Sequence, residues 1–195
     1  PDDIKVRLPE GERLEVFADI LSSVGLSTKD ELIACFKTCV VDGYQGLLDG
    51  QSGYEGELFP DTYILPPNAT AKQIIVPLLK NFRNKFDPLA KQYGAFLQEH
   101  SAREIVIIAS LLEREAKSLE DKRFVAGILY DRLKIGMRLD VDATVSYMKG
   151  DWRSPITYTD LAIDSSYNTR KNKGLPAGPI CNPGVESLEA AMSPL

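Results

Sequence analysis

The chain has 195 residues, of which 44% are hydrophobic and 26% are charged, and this composition is ordinary for a folded globular protein with an ample core. Its formal net charge of -5 argues against a nucleic-acid interface, which needs a basic face, and against a surface that binds anionic lipid. No apolar run approaches the ~18 residues of a membrane span. One histidine and no CxxC pair argue against a zinc site.

The three cysteines, Cys35, Cys39 and Cys181, allow at most one disulfide and leave one thiol over. Cys35 and Cys39 lie four residues apart on a predicted helix. We expect buried free thiols, because an unpaired cysteine usually behaves as a small hydrophobic residue.

The N-terminal part of the chain predicts a small helical module. Apolar and polar residues alternate in IKVRLPEG, as they do in a short strand. The apolar residues over 13–23 and 28–40 then have helical spacing. We assign residues 1–42 to this module, which carries no visible chemistry, and residues 43–195 to a second and larger domain.

The stretch 43–68 predicts a long irregular connection, rich in glycine, proline and aromatic residues, that contains YEGELFPDTYILPP. Connections of this length are uncommon in compact domains unless they have a function. Glu55, between Tyr54 and Gly56, is therefore a candidate site residue. A folded turn, whose aromatic residues pack and whose acidic residues cap backbone groups, is the alternative that the residues alone favour.

The most apolar helix of the chain is predicted to start after Ser101. Helices over 70–86 and 89–98 lead into it, and Ser101 with Glu104 has the spacing of a capping box. From 105 to 112 only one residue is polar, so we expect this helix to be buried on most sides.

Two carboxylates, Glu113 and Glu115, leave this helix at the edge of its buried part. At about 100° per residue, Glu115 lies near a wall of Ile108, Leu111 and Leu112. Apolar neighbours and an ionised Glu113 both disfavour the charged form, so we expect a raised pKa for Glu115. A carboxyl group that holds its proton near neutral pH is suited to general-acid catalysis. Two ordinary last-turn glutamates, one of them ion-paired, remain the alternative.

The segment DKRFVAGILYDRLKIG, residues 121–136, predicts a further amphipathic helix. Its inward-facing residues are expected to be Phe124, Ile128, Leu129 and Leu133. MRLDVDATVSYM, residues 137–148, then predicts a short strand with Asp140 and Asp142 on one face, followed by a short helix from Ala143. A turn and a helix cap explain the two aspartates as well.

The last long loop contains SSYNTRKNKGLPAGPICNPG and is typical of a binding loop, although a solvated polar loop fits too. Its hydrogen-bonding side chains are Tyr167, Asn168, Thr169, Arg170, Lys171 and Lys173. Together the elements predict an α+β, mainly helical fold, with a central buried helix that carries the catalytic glutamate, short strands and long site-forming loops. Aromatic faces combined with amides and carboxylates suit a sugar ligand.

Four motifs, in order and spacing, carry a resemblance to a known family. They are YEGELFPDTY, IASLLEREA, VAGILYDRLKIGMRLDVDATVSY and SSYNTRKNKGLPAGPICNPGVESLEAAMSP. They resemble the YceG-like family of endolytic murein transglycosylases, called MltG, over most of the chain from about Pro9 to Pro194.

The resemblance implies a role for individual residues. Glu115 occupies the second glutamate of the family's E-[KR]-E triplet and is implied to be the catalytic acid. The residues implied to bind substrate are Glu55, Glu113, Asp142, Thr144, Tyr167, Asn168 and Thr169. Ala143 stands where the family's D-P-T turn has proline. This difference should loosen the turn without removing a catalytic group.

The implied reaction is cleavage of the MurNAc-β-1,4-GlcNAc bond of peptidoglycan to give 1,6-anhydroMurNAc ends, which terminates or trims nascent strands. The implied enzyme needs no cofactor and no metal. One carboxyl group can serve as acid and then as base, whereas an ordinary glycosidase uses two carboxyl groups roughly 5 to 9.5 Å apart. Glu113 and Glu115, two residues apart on a helix, should point in different directions.

The resemblance also implies surroundings for the protein. Peptidoglycan strands are the implied substrate and cell-wall synthases, the penicillin-binding proteins, are further partners. The catalytic domain is expected outside the cytoplasm, in the periplasm, tethered to the cell membrane by a single N-terminal anchor. This sequence lacks that anchor, most of a LysM-like region and the family's C-terminal segment.

Two other functions stay open. One is aminodeoxychorismate lyase, a pyridoxal-phosphate chemistry that requires a Schiff-base lysine and a phosphate cradle, for which no lysine here has a recognisable context. The other is a non-catalytic scaffold that binds peptidoglycan.

Overall fold

The computed structural model describes residues 2–44, 46–47 and 53–195. Residues 45 and 48–52 of the predicted 43–68 connection lie outside the described residues. Within the described part, helices dominate and accompany a two-stranded sheet, which confirms the mainly helical α+β class. The elements in chain order are β1 (Ile4–Arg7), α1 (Leu14–Ser23), α2 (Lys29–Thr38), β2 (Thr62–Leu65), α3 (Ala71–Gln92), α4 (Gly94–Glu99), α5 (Ala102–Glu115), α6 (Leu119–Lys134), α7 (Asp142–Lys149), α8 (Tyr158–Leu161) and α9 (Val185–Met192).

The sheet pairs the predicted first strand with β2, a segment for which no strand was predicted from the sequence. β1 pairs antiparallel with β2, and Val6 lies opposite Tyr63 with both side chains buried. The prediction of an irregular connection throughout 43–68 is therefore wrong for its last part. The alternation of exposed and buried residues in TYIL is the signal that identifies β2.

The first hydrophobic core lies between the sheet, α1, α2 and the first turns of α3. Phe17 from α1, Phe36 from α2 and Leu78 from α3 are all fully buried in it. Helices α1 and α2 confirm the two helices predicted in this region, and Thr28 forms the capping box with Glu31. Because α3 contributes to the same core, the division at residue 42 stays a prediction.

Cys35 and Cys39 form a disulfide that links the last turn of α2 to the residue after it. The expectation of free thiols is wrong for this pair. Cys39 has left the helix and adopts an extended backbone, which brings the two sulfurs together although the residues are only four apart. Cys181 is a buried free thiol, as expected.

Helix α3 runs further than its sequence predicts, through Pro77 and Pro88 to Gln92. The predicted separate helix over 89–98 is wrong, because α3 includes its first part and α4 (Gly94–Glu99) forms the rest. A proline removes one backbone donor from a helix. Buried Phe82 and Phe86, whose rings stack at 5.4 Å, continue the packed face up to Pro88.

Helix α5 is the buried central helix that the sequence predicts, with every residue from Ile105 to Leu112 buried. Ser101 caps its N-terminus by accepting a hydrogen bond from the Glu104 backbone. The one polar residue of the buried run, Ser110, donates to the Ile107 carbonyl at 2.7 Å and accepts from the Ile180 backbone at 3.1 Å. The helix packs against α6, α7 and α9, so it lies at the centre of the second core.

Helix α6 presents a different face to the core from the predicted one. Phe124 and Ile128 were expected to face inward, but they are 63% and 43% exposed. The buried residues are Lys122, Ala126 and Leu129. Contacts with α5 and α9 determine this face, and Lys122 is held by Glu113 at 3.6 Å. This ion pair cannot be predicted from the spacing of apolar residues in the sequence.

The strand predicted within 137–148 is absent from the described structure, and the segment pairs with a loop instead. Asp140 adopts a positive φ of 55°, and its N–H donates to the Thr169 carbonyl at 3.2 Å. The Val141 N–H donates to the Thr169 hydroxyl at 3.0 Å. The helix predicted from Ala143 is confirmed as α7, which begins at Asp142.

Candidate active site

The last residue of α5, Glu115, lies at the N-terminus of α7. It is an exposed residue, yet burial of its surroundings is the largest cause that raises the pKa of its carboxyl group. A hydrogen bond from the Ala143 backbone N–H lowers that pKa, Asp142 raises it as a like charge, and Arg170 lowers it. The predicted upward direction is confirmed. Asp142, and not Glu113, supplies the neighbouring negative charge.

Asp142 and Arg170 form an ion pair beside Glu115. The Arg170 Nε and Nη2 atoms donate to Asp142 Oδ1 at 2.8 and 2.6 Å. The side chains remain 54% and 37% exposed, so this pair adds little to stability. The ion pair instead fixes the positions of one cation and one anion close to the Glu115 carboxyl group.

Thr144 and Thr169 join the first turn of α7 to the last loop. Both are buried, and their hydroxyl oxygens are 2.9 Å apart. Thr144 also donates to the Val141 carbonyl at 2.7 Å. These bonds fix the turn that carries Ala143, and direct contact of the two threonines with a substrate stays a prediction that no observation tests.

Asn168 is fully buried, and its side-chain amide is used inside the loop. Its Nδ2 donates to the carbonyls of Leu161 and Ile163 at 3.1 and 2.7 Å, and its Oδ1 accepts from the Arg170 backbone at 3.0 Å. The amide therefore fixes the loop that places Arg170. Direct contact between Asn168 and a sugar stays a prediction that no observation tests.

Replacing Asn168 by alanine is expected to lower the free energy of unfolding by roughly 2 to 3 kcal/mol, because three partly buried backbone groups lose a hydrogen bond. Urea unfolding monitored by circular dichroism measures the change. Lys173→Ala, an exposed position in the same loop, is the control and should change little. Unaltered stability in Asn168→Ala would mean that the loop does not depend on this amide.

Three aromatic rings form a cluster around Tyr147, in the second turn of α7. The ring centroids of Tyr147 and Tyr167 are 4.9 Å apart, and those of Tyr147 and Trp152 are 6.5 Å apart. The Arg13 guanidinium lies 4.6 Å from the centre of the Tyr147 ring, and that of Arg114 lies 4.2 Å from the Trp152 ring. Tyr167 is thus a half-buried member of an aromatic cluster rather than an isolated loop residue.

Glu113 points away from Glu115, as two residues of separation on a helix predict. Its Oε2 accepts from the Gly184 backbone at 2.9 Å and from the Ser187 hydroxyl at 2.6 Å, at the N-terminus of α9. Its Oε1 lies 3.6 Å from Lys122. With only 9% of its side chain exposed, Glu113 holds α5, α6 and α9 together.

Glu55 is buried at the N-terminus of α1. Its two carboxyl oxygens accept from the Leu14 backbone at 3.1 and 3.2 Å, and Asn182 donates to Oε1 at 2.8 Å. Burial raises the pKa of Glu55 to about 8, although the Leu14 hydrogen bond opposes the shift. The following Gly56 has a φ of 91°, where a Cβ atom would lie 2.6 Å from Pro179.

Asn182 is the residue of this region that sequence reasoning missed. It is fully buried, and its Oδ1 accepts from the backbones of Gly56 and Leu58 at 2.8 and 3.1 Å. Asn182 and Gly56 are 126 positions apart, so no local sequence pattern could predict their contact. The position of Asn182 in the CNPG stretch, directly before the turn-forming Pro183 and Gly184, is the only signal that could have drawn attention to it.

Comparisons with known proteins agree with this architecture. A 2.6 Å crystal structure of a yceG-like protein from Listeria monocytogenes matches 98% of this chain and 66% of its own chain, with a TM-score of 0.81 and 33% sequence identity. The model of the YceG-like family matches residues 1–195. This chain belongs to the YceG-like family.

Relatives of this YceG-like chain have been named for an activity. A Bacillus subtilis protein called endolytic murein transglycosylase is 38% identical over 143 residues, which are 72% of this chain and 39% of the relative. A Streptococcus pneumoniae protein of the same name is 29% identical over 210 residues, covering 95% of this chain and 38% of the relative. The chain thus spans about two fifths of the length of these relatives.

The described residues of this YceG-like chain contain no helix that is both long enough and apolar enough to cross a membrane. They also contain no group of three or more histidine, cysteine, aspartate or glutamate side chains that could hold a metal ion.

Proposed function

We propose that this YceG-like chain carries the chemistry of a lytic transglycosylase that cleaves peptidoglycan glycan strands, with Glu115 as both acid and base. The observation that supports the proposal most directly is the Glu115 carboxyl group, which accepts a hydrogen bond from Ala143 at the N-terminus of α7 and has a pKa raised by burial. The names of the relatives support the same substrate.

The proposed reaction needs one proton carrier. Protonated Glu115 donates its proton to the glycosidic oxygen as the bond between that oxygen and C1 of MurNAc breaks. The resulting carboxylate removes the proton from the C6 hydroxyl of the same sugar, and O6 bonds to C1 to close the 1,6-anhydro ring. No water is consumed, and Glu115 ends the cycle protonated.

The surroundings of Glu115 suit both halves of this cycle. Burial and Asp142 favour the acid form before the proton is donated, while Arg170 and the Ala143 N–H stabilise the carboxylate that follows. The positive end of the α7 dipole adds to the second effect. Glu113 is held in the protein interior by Gly184 and Ser187, so it does not supply the second carboxylate of an ordinary hydrolase.

Mass spectrometry of purified glycan strands after incubation with the protein tests the proposal. Anhydro ends support a lytic transglycosylase, and reducing ends produced by water attack would indicate a hydrolase in which Asp142 acts as second carboxylate. Intact strands that nevertheless bind the protein would indicate a non-catalytic scaffold. A visible absorbance scan with added pyridoxal phosphate tests the aminodeoxychorismate lyase alternative.

We also propose that this domain works outside the cytoplasm, tethered to the cell membrane. The disulfide between Cys35 and Cys39 supports this location, because disulfides persist in oxidising compartments. Partnership with penicillin-binding proteins is supported by the family resemblance alone.

The pH dependence of cleavage should report the hydrogen bond from Ala143 to Glu115. Proline, the residue that the family resemblance places at 143, has no N–H. In Ala143→Pro the carboxylate loses a donor, so the pKa of Glu115 rises and the alkaline limb of the rate profile moves to higher pH. Asp142→Asn removes a like charge, and the same limb should move to lower pH. The profile of kcat/KM against pH measures both.

Lys171→Gln is the matched control for these two variants, because Lys171 pairs with Asp164 at 3.2 Å and does not contribute to the pKa of Glu115. Its alkaline limb should coincide with that of the parent. Shifts of the same sign in Ala143→Pro and Asp142→Asn would contradict the assignment of the titrating group to Glu115.

A further inference from the structure

The disulfide between Cys35 and Cys39 lies in the wall of a surface groove of about 430 Å³. The other walls of the groove come from α2, from Ser27 before that helix and from residues 70–72 at the start of α3. Cys35 is 4% exposed, whereas Cys39 is half-buried. Pockets that bind small molecules have volumes from roughly 300 Å³ upward, so a small thiol fits the groove and can approach Cys39 from solvent.

The disulfide adds little to the stability of the whole fold. It links residues only four positions apart, and a disulfide stabilises a fold most when the loop that it closes is long. The Cys39 N–H also donates to the Cys35 carbonyl at 2.9 Å, so the backbone holds the two residues close without the sulfur bond. The effect of the disulfide is therefore local. It restrains the last turn of α2, the part of a helix that frays most readily.

This last turn of α2 holds the segment 54–57. The Tyr54 N–H donates to the Phe36 carbonyl at 2.9 Å, and the Tyr54 hydroxyl donates to the Cys39 carbonyl at 2.8 Å. Gly53 lies so close to the same turn that a Cβ atom there would be 2.7 Å from the Lys37 Cα atom. The last four carbonyls of a helix have no partner within it, so Tyr54 binds the turn through groups that the disulfide restrains.

The contacts continue from Tyr54 into the rest of the molecule. The Glu57 N–H donates to the Tyr54 carbonyl at 2.9 Å. Between these two residues, Glu55 accepts from the Leu14 N–H at the start of α1 and from the Asn182 amide. A continuous series of hydrogen bonds thus joins the disulfide to α1 and to the segment before α9. Energetic coupling between distant parts of a protein follows contacts of this kind.

We propose that Cys35 and Cys39 form a thiol–disulfide exchange site, and that its redox state determines how firmly the segment 54–57 is held. A thiolate in the groove attacks Cys39 Sγ, the bond between the two cysteine sulfurs breaks, and Cys35 leaves as a thiolate that takes up a proton. A second thiol attacks the incoming sulfur of this mixed disulfide and releases Cys39 as a thiol. Two thiols are oxidised to one disulfide, and the protein disulfide gains two electrons and two protons.

Alkylation of the folded full chain tests the exchange. The chain is incubated with cysteine or, separately, with reduced thioredoxin, and is then treated with iodoacetamide and measured by mass spectrometry. We expect new alkylation at Cys35 and Cys39 and none at Cys181, which is fully buried. Reaction with both reagents means that a small thiol suffices, and reaction with thioredoxin alone assigns a protein dithiol as the reductant. A disulfide that resists both reagents until urea unfolds the chain would overturn the proposal.

Hydrogen exchange before and after reduction tests the coupling. Once the last turn of α2 is free to fray, the backbone N–H groups of Tyr54 and Glu57 should exchange at least about tenfold faster. The N–H groups in the middle of α5 serve as the internal reference and should keep their rates. Complete reduction with unchanged exchange at Tyr54 and Glu57 would show that the disulfide does not control this segment.

Matched variants separate the sulfur bond from the contacts that follow it. The double variant Cys35→Ser, Cys39→Ser should exchange like the reduced parent and should not respond to thiols. Tyr54→Phe keeps the disulfide but removes the hydroxyl that binds the Cys39 carbonyl, so reduction should change exchange at Glu57 less than it does in the parent. Tyr158→Phe, at a tyrosine that is 93% exposed, is the control. Equal responses to reduction in Tyr54→Phe and Tyr158→Phe would contradict a route through Tyr54.

Discussion

Glutamine at position 115 should abolish strand cleavage while the fold and the affinity for glycan stay close to those of the parent. The amide keeps the shape of the carboxyl group, but it can neither donate a proton to the leaving oxygen nor remove one from the C6 hydroxyl. General acid–base groups typically contribute about 10² to 10⁴ in rate, so we expect a loss at least that large. The cleavage rate is measured by quantifying anhydro ends over time. The affinity for glycan is measured in parallel by binding to purified strands.

Glu113→Gln is the matched control, because the same chemical change is made two residues earlier on the same helix. Glu113 contacts Gly184, Ser187 and Lys122 in the interior. Its replacement should lower the free energy of unfolding by roughly 1 to 3 kcal/mol and keep most of the cleavage rate in the folded protein. If the two variants lost activity equally while folded, the separate roles of these glutamates would be wrong.

Asn182→Ala should cause the largest loss of stability among the substitutions considered. Alanine leaves the N–H groups of Gly56 and Leu58 buried without an acceptor, and removes a donor from Glu55. Orphaned buried groups cost about 1 to 3 kcal/mol each, so the expected total is roughly 3 to 5 kcal/mol. Urea unfolding measures it as a lower midpoint with an unchanged slope.

Asn172→Ala provides the comparison for Asn182→Ala. Asn172 is exposed, and its amide donates to the Ser165 carbonyl at 2.7 Å, so its removal should cost less than about 1 kcal/mol. Similar losses in the two variants would indicate that the contacts of Asn182 contribute no more than those of a surface amide.

The central helix shows how much of the fold the sequence predicts. A run from Ile105 to Leu112 with one polar residue, after a capping serine, predicts a buried helix, and α5 is such a helix. Helix α6 shows the limit of the same reasoning. Its apolar Phe124 and Ile128 are exposed, whereas Lys122 is buried against Glu113, because the packing of neighbouring helices selects one face among several that the pattern allows.

The candidate site divides in the same way. The local sequence predicts that two carboxylates leave α5 in different directions and that the pKa of Glu115 is raised, and the structure confirms both. Only the tertiary structure decides which charges face it: Asp142 and Arg170 come from α7 and the last loop. The same holds for Glu55, which is buried by Leu14 and Asn182, residues 41 and 127 positions away. Helical periodicity is short-ranged, so it determines directions on one helix, while the electrostatics of a site depend on chain segments that only folding brings together.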